Sequence, residues 1–490
     1  MMLLGVDIGT THIKARMYDE EGSFLGGVHR PTPTRRLPDG GAEYGASAIE
    51  QVAFEAIRQV SEQVGPPQAI GISSIGESGF LVDGAGEALV PAIAWFDGRT
   101  AAQAARWQAR IDSADLFSRT GLHCAPLYSA CKLEWLKENS PEAWKQAAGW
   151  LGIAEYLVFR MTGERVTDPS LASRTMLFRI DRDQWDQELC ELAGVPIELL
   201  PPVHGAGTCS GGLMASVARE ISVPEGIPVA VCGHDHVCGA FGAGATKPGE
   251  VVDSIGTAEA CLLTLYGPPP NKAGFDMNLS VGRHVLPQGF YLATTLPESG
   301  AAVDWLLNLL VGSEEDLSRW TTRAKRLSPG EGGTFLPVLQ GEDSNMVLCA
   351  LINKDGHPEH FLRAVLEGLT VEIDAALKRA AHATGIELAG LTLMGGGAKN
   401  VLWRQLKADA SGLSVRTISD PECAARGAAM LAGVGDGTFA DHDSVPVPKH
   451  EPVIYRPSGE QAVYERLYYE VHEPLRKQLG RPHSAWLKVR

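Results

Sequence analysis

Apolar and polar residues alternate in short bursts over the first thirty positions. LLGVDIG reads as a strand ending in glycine, IKARMYD as a second, and SFLGGVHR, after the EEG turn, as a third. From Ala48 to Val64 the period lengthens: Ile49, Val52, Ala53, Ala56, Ile57, Val60 and Val64 fall on one stripe, which predicts a helix. QAIGISSIG then reads as a strand, followed by a loop that holds Glu77. Hairpin, helix, strand is the order of an α/β domain with a mixed sheet.

The pattern returns at Val251. VVDSIGTAEACLLTLY, ending at Tyr266, is again strand, turn, strand, so Gly256–Thr257 stands where Gly9–Thr10 stands in the opening hairpin. Phe361 to Gly385 follows as a long helix closed by glycine. Then come a strand (LTLM), a glycine turn (GGGAKN), a helix from about Val401, a strand (SVRTI) and a Pro-started helix through Met430. Such a repeat predicts two similar α/β domains, 1–246 and 247–440, meeting at GATKPGEV, where Pro248 and Gly249 break the pattern. The tail, 441–490, holds a Pro-rich linker near Val445–Pro457. Its Tyr464/Leu467/Tyr468/Val471/Leu475 stripe reads as a helix packed on the second domain.

Composition narrows the function classes. A chain of 490 residues exceeds one ordinary core, and 44% hydrophobic with 21% charged residues is normal for a globular protein. A net charge of −16 argues against nucleic acid or an anionic membrane as partner. No apolar run approaches the ~18–20 residues a bilayer requires, and Asp7 interrupts the opening stretch too early for a signal peptide. Nine cysteines without a CxxC pair read as reduced thiols, so the expected location is cytoplasmic.

Three stretches carry chemistry. A Gly-Thr turn between strands aims successive backbone N–H groups and a hydroxyl at one point, which suits phosphate oxygens. Asp7, just before the first such turn, is placed to hold Mg²⁺ through water. GGGAKN, from Gly395 to Asn400, either admits a flat adenine or ribose against the backbone or is simply a tight strand–helix turn. No GxxxxGK[ST] motif occurs. The third stretch, CGHDHVCGAFGAG, offers metal-type ligands in Cys232, His234, Asp235, His236 and Cys238. The two cysteines flank a strand–helix turn, however, and read as buried thiols rather than as converging zinc ligands. Asp235, at the carboxyl end of a strand, suits different chemistry, that of taking a proton from a substrate hydroxyl as a phosphoryl group arrives.

Together these stretches resemble the FGGY family of carbohydrate kinases. The resemblance runs in order through VDIGTTHIKA, AIAWFDGRT, LYSACKLEWLKEN, MTGERVTDPSLAS, GIPVAVCGHDH, SIGTAEA and LMGGGAKNVLWRQLKAD. It implies two ribonuclease-H-like domains of the actin/hexokinase type with an interdomain cleft, and ATP-dependent phosphorylation of a ketose or polyol with Asp235 as base and Asp7 near Mg²⁺. Carried over by position, Thr10, Thr11, Lys14, Gly256, Thr257, Gly300, Asp304, Gly396 and Asn400 fall at nucleotide-contacting places, and His236 joins the substrate residues. The substrate loop reads Gln-Arg-Glu in glycerol kinases and Gln-Met-His in xylulokinases; here it is Gly76–Glu77–Ser78, with slight fuculokinase-like features elsewhere. Glu77 is then either a ligand for sugar hydroxyls or the cap of a turn. Trp95 and Asp97 either line the pocket or support it, Trp95 being equally suited to the core. With two carboxylates facing the ligand and no arginine at 76, a neutral substrate is expected, and the family resemblance implies one of about four to six carbons. A non-catalytic regulator on the same fold is the alternative, disfavoured because Asp7, Asp235 and both turns are present. Oligomeric state is left open, a homodimer included.

Overall fold

The computed structural model describes residues 1–267, 272–337, 356–448 and 453–478, so part of the Pro-rich linker near Val445–Pro457 and the end of the tail lie outside the described residues. In chain order the elements that position the sites are β1 (Met2–Ile8), β2 (His12–Asp19), β3 (Phe24–Pro31), α1 (Ala46–Val64), β4 (Ala69–Ser74), α2 (Ser129–Asn139), β5 (Cys209–Gly212), β6 (Pro228–His234) and α3 (Asp235–Gly242). They continue as β7 (Glu250–Ile255), β8 (Glu259–Tyr266), α4 (Gly300–Leu309), α5 (Pro358–Thr384), β9 (Gly390–Met394), α6 (Val401–Ser411), β10 (Val415–Thr417) and α7 (Cys423–Gly435).

The chain forms two compact units: Met1–Thr246 with Thr264–Leu292 and Glu422–Pro448, and Lys247–Leu263 with Ala293–Pro421 and Lys449–Arg490. The first contains a six-stranded mixed sheet in the order β5-β6-β4-β1-β2-β3. β1 and β6 run parallel to β4, while the hairpin neighbours are antiparallel. Leu4, Val6 and Ile8 of β1 and Ile70 and Ile72 of β4 are fully buried, joined by Ile49, Ala53, Ile57 and Val60 of the α1 stripe. A second apolar cluster, around Trp107, Leu116, Leu133 and Trp150, supports α2. In the second unit β7 pairs antiparallel with β8 and parallel with β9, which pairs parallel with β10. The hairpin-plus-parallel-strand design of the opening residues is thus repeated.

One element differs from the sequence reading. α7 starts behind its N-cap Glu422, leaving Pro421 outside, and continues past Met430 to Gly435. It also groups with the first unit, packing on β1, β4 and α3. Its composition explains this, because the positions of CAARGAAMLAGVG that meet the sheet and α3, Cys423, Ala425, Gly427, Ala428 and Ala429, are small. A methyl group added at Gly5, Gly71 or Gly242 would overlap a carbonyl oxygen of this helix. In the second unit, the tail residues Tyr464 and Tyr468 are buried, their hydroxyls accepting from Arg363 at 3.0 Å and Arg379 at 2.8 Å on α5.

Gly5→Ala should therefore destabilise the protein by ~1–3 kcal/mol or more through overpacking against backbone. Gly84→Ala, where a methyl group meets nothing within 4 Å, should be near neutral. Denaturant midpoints of the two variants against the parent check this; equal midpoints would contradict the close approach.

Candidate active site

β1, β4 and β6 are mutually parallel, so their carboxyl ends share one edge, where α/β sheets gather functional groups. Each end delivers an acid: Asp7 on β1, Glu77 in the loop after β4, and Asp235 as the first residue of α3, directly after β6. Hairpin register sets Lys14 opposite Asp7. Its ammonium lies 3.5 Å from Asp7 Oδ2 and 2.7 Å from Glu422 at the head of α7. Burial pushes the Asp7 carboxyl up to about 6, opposed by Lys14 and reinforced by Asp235 and Glu422. Asp7 Oδ1 is buried without a protein partner, which fits a hydrated divalent cation.

Asp235 is 19% exposed at its side chain. Its Oδ1 accepts from the His236 N–H at 2.6 Å and lies 3.3 Å from His234 Nε2. Burial raises its pKa, partly offset by His236 through its charge and its N–H. Burial, Arg174 and His236 hold the His234 pKa well below the usual histidine range, so this ring is neutral. The buried Nδ1 of His234 has no hydrogen-bond partner among the described residues. The His236 side chain is exposed, its ring 5.5 Å from that of His234. Cys232 and Cys238 are buried thiols whose sulfurs lie 3.3 Å from the α7 carbonyl oxygens of Ala428 and Ala424.

Around Glu77 the structure corrects an expectation. The carboxylate is not bare: Arg174 Nε and Nη2 both lie 2.6 Å from its Oε1. Arg174 Nη1 donates to Tyr291 at 3.3 Å and Ser280 at 3.4 Å, and the guanidinium lies over the Tyr128 ring. A Cβ at position 76 would stand only 3.1 Å from Arg174 Cγ and 3.0 Å from His234 Cδ2, so Gly76 makes room for this arginine. Glu77 itself adopts φ +63°, a left-handed conformation uncommon for a side chain of its size. Its carbonyl is gripped by Ser129 Oγ at 3.1 Å and Lys132 Nζ at 3.2 Å, both from α2. Burial pushes the Lys132 pKa down to about 7. Ser78 Oγ is buried and unpartnered.

The remaining residues of this unit divide into surface and brace. Trp95 is exposed rather than core, and its Nε1 donates to Thr10 Oγ1 at 2.9 Å. Thr11 is exposed beside it in the turn. Asp97 is buried and already engaged by the Ala42 N–H at 2.7 Å and by Arg99 through its N–H, Nε and Nη2. It braces the loop that carries Trp95.

In the second unit, the residues matched to the nucleotide gather at the end of β7. The turn at Gly256–Thr257 is exposed. Its carbonyls accept from Ser299, Gly300 and Ala301 N–H groups at 3.0–3.1 Å, and Gly300 permits that approach because a Cβ there would overlap Gly256 O. Gly395 and Gly397 close on Ile255, whereas Gly396 faces open space. Asn400 caps α6 by accepting from Leu402 and Trp403 N–H groups, and its amide donates to Thr321. Asp304 lies exposed on α4.

Comparison with known proteins agrees with this geometry. Residues 2–242 match the N-terminal domain of the FGGY family of carbohydrate kinases and residues 252–435 its C-terminal domain. This chain belongs to that family. It is 28% identical to the xylulose kinase of Bacillus subtilis (strain 168), covering 89% of each chain, and 30% identical to the glycerol kinase of Gloeobacter violaceus, covering 96% of this chain and 95% of that one. The crystal structure of xylulose kinase from Rhodospirillum rubrum shares the fold, with a TM-score of 0.90, 24% identity, and coverage of 98% and 99%. The protein is accordingly a carbohydrate kinase, with ATP as the phosphoryl donor its family uses. Among the described residues no helix is long and apolar enough to cross a membrane.

For a kinase whose base is a carboxylate, activity requires the ionised form. Because burial raises the Asp235 pKa, kcat/KM should fall on acidification with a midpoint above the ordinary carboxylate value of about 4. A pH–rate profile flat down to that ordinary value would contradict the environment described for Asp235.

Proposed function

We propose that this kinase transfers the γ-phosphoryl group of ATP to a terminal or near-terminal hydroxyl of a neutral ketose or polyol of about four to six carbons. The observation that carries the proposal is the delivery of Asp7, Glu77 and Asp235 to one sheet edge by three parallel strands. Asp235 is the general base. It is partly exposed, held by the His236 N–H, and has a pKa raised toward working pH, as a group that must accept a proton in the transition state requires. Neutral His234 steadies it without neutralising it. Mg²⁺, held through water by Asp7 Oδ1, would supply charge compensation on the transferring phosphoryl group. Thr10, Thr11 and Lys14 are proposed for phosphate contacts beside Asp7. In the second unit, the Gly256–Thr257 turn, Gly300, Asp304 and Gly396 are proposed to hold the nucleotide, with Asn400 acting through the α6 cap.

The preference for a neutral substrate rests on how charge is already committed. Glu77 and Arg174 neutralise each other, and Lys132 is buried on a carbonyl with its pKa lowered to about 7. Neither of these cations is left to pair with a substrate carboxylate, whereas a hydroxyl can meet Glu77, Ser78 and the unpartnered Nδ1 of His234. Which ketose or polyol is used depends on the shape around Gly76, and the named relatives act on different ones.

Release of ADP over a panel of ketoses, polyols and sugar acids tests the reading. A neutral substrate should lead, and preferred turnover of a sugar acid would overturn the charge assignment. With the best substrate, Asp235→Asn should lose ~10²–10⁴-fold in kcat while retaining ATP binding. Near-parental turnover in that variant would remove Asp235 from the role of base.

A further inference from the structure

The Gly256–Thr257 turn is exposed, yet the strands that carry it rest on a buried cluster of charge. Asp253 on β7 and Cys261 on β8 are direct partners across the hairpin, and Glu259 lies two residues nearer the turn on the same face. Lys407 of α6 projects into them. Its ammonium is 2.7 Å from Asp253 Oδ2 and is also paired with Glu259 Oε1. Asp253, Glu259 and Cys261 converge as metal ligands would, but this ammonium already stands between the two carboxylates. The other oxygen of Glu259 accepts from Ser299 Oγ at 2.6 Å, and the Ser299 N–H returns to the Thr257 carbonyl at 3.0 Å. Asp253, Glu259 and Ser299 are fully buried and Lys407 is 2% exposed.

Such a cluster is a poor device for stability, since apolar residues of equal volume often do as well. What it fixes is direction. Each oxygen of Glu259 has a single donor, so strand, turn and the start of α4 are held in one mutual arrangement. Asn400, which caps α6, fixes the helix from which Lys407 reaches.

We propose that Lys407 is a positioning residue for the nucleotide: through Glu259 and Ser299 it holds the Gly256–Thr257 turn and the start of α4 in the geometry that receives the phosphates. The inference rests on the reading of this turn as a phosphate site. Lys407→Met, made together with Asp253→Asn and Glu259→Gln so that no charge is left buried alone, should raise the KM for ATP on the order of 10–100-fold. The KM for the sugar should be nearly unchanged, and Lys407→Arg should recover part of the loss. Should the triple variant not fold, Ser299→Ala decides, since it cuts only the last link and should weaken ATP in the same direction. Thr257→Ala, assayed with a fluorescent ATP analogue in the absence of sugar, tests the underlying reading separately. If Thr257→Ala leaves affinity unchanged, the turn is not the phosphate site. If Thr257→Ala weakens binding but Ser299→Ala and the folded triple variant do not, the turn stands and the role of Lys407 falls.

Discussion

Helix α7 lies on the first sheet with backbone against backbone. Gly5 of β1 sits beneath Ala425 and Ala429, Gly71 of β4 beneath Ala428, and Gly242 of α3 beneath Cys423 and Gly427. This approach sets the height of β1, β4 and α3 relative to one another, and therefore the spacing of the acids at their ends. It also supplies chemistry at the rim. Glu422, the N-cap of α7, takes the ammonium of Lys14, and Arg426 donates to Gly242 O at 2.8 Å, tying down the far end of the helix that starts at Asp235. Asp7, Glu77 and Asp235 are thus spaced by a helix that begins almost two hundred residues beyond even the last of them. Glycine is required at 5, 71 and 242 because a Cβ there would overlap the helix backbone.

The duplicated hairpins carry a common electrostatic device put to different ends. In the first unit one ammonium, Lys14, lies between Asp7 and Glu422; in the second, Lys407 lies between Asp253 and Glu259. Exposure separates them. The Lys14 side chain is 24% exposed and Asp7 keeps an unpartnered oxygen, so this pair can rearrange around a ligand. Lys407 and its partners are sealed, so theirs can only hold shape.

The parts of the fold legible in the sequence were those encoded locally. Alternation and the Gly-Thr turns marked β1, β2, β7 and β8, the α1 stripe marked its buried face, and the length of 361–385 marked a helix that in fact begins at Pro358. Asp235 could be placed at a strand's carboxyl end because the apolar run GIPVAVCG precedes it and the small-residue stretch VCGAFGAGA begins two positions after it. What escaped was long-range pairing. Arg174 follows directly on DPSLAS, but its partner Glu77 is 97 positions away, and nothing in either neighbourhood announces the contact. Lys407 reads as an ordinary charged position in WRQLKAD until β7 and β8 are placed beside it. The grouping of α7 with the first unit was hidden for a similar reason: an alanine- and glycine-rich helix does not say which sheet it fits.

The same long-range contact changes what the substrate loop means. Taken alone, Gly76 looks like the loss of an arginine and hence of a positive charge. In the folded chain the charge is present, delivered from residue 174 through the volume that Gly76 leaves open. A side chain at 76 and the stem of Arg174 compete for that space, so the two positions are coupled and a loop comparison confined to 76–78 misjudges the pocket. Placing arginine at 76 would crowd Arg174 and press on the His234 ring, whose Nε2 lies 3.3 Å from Asp235. Positions 76, 174 and 234 therefore share one crowded point, and Glu77, bent into its left-handed conformation and gripped from α2, lies at its centre.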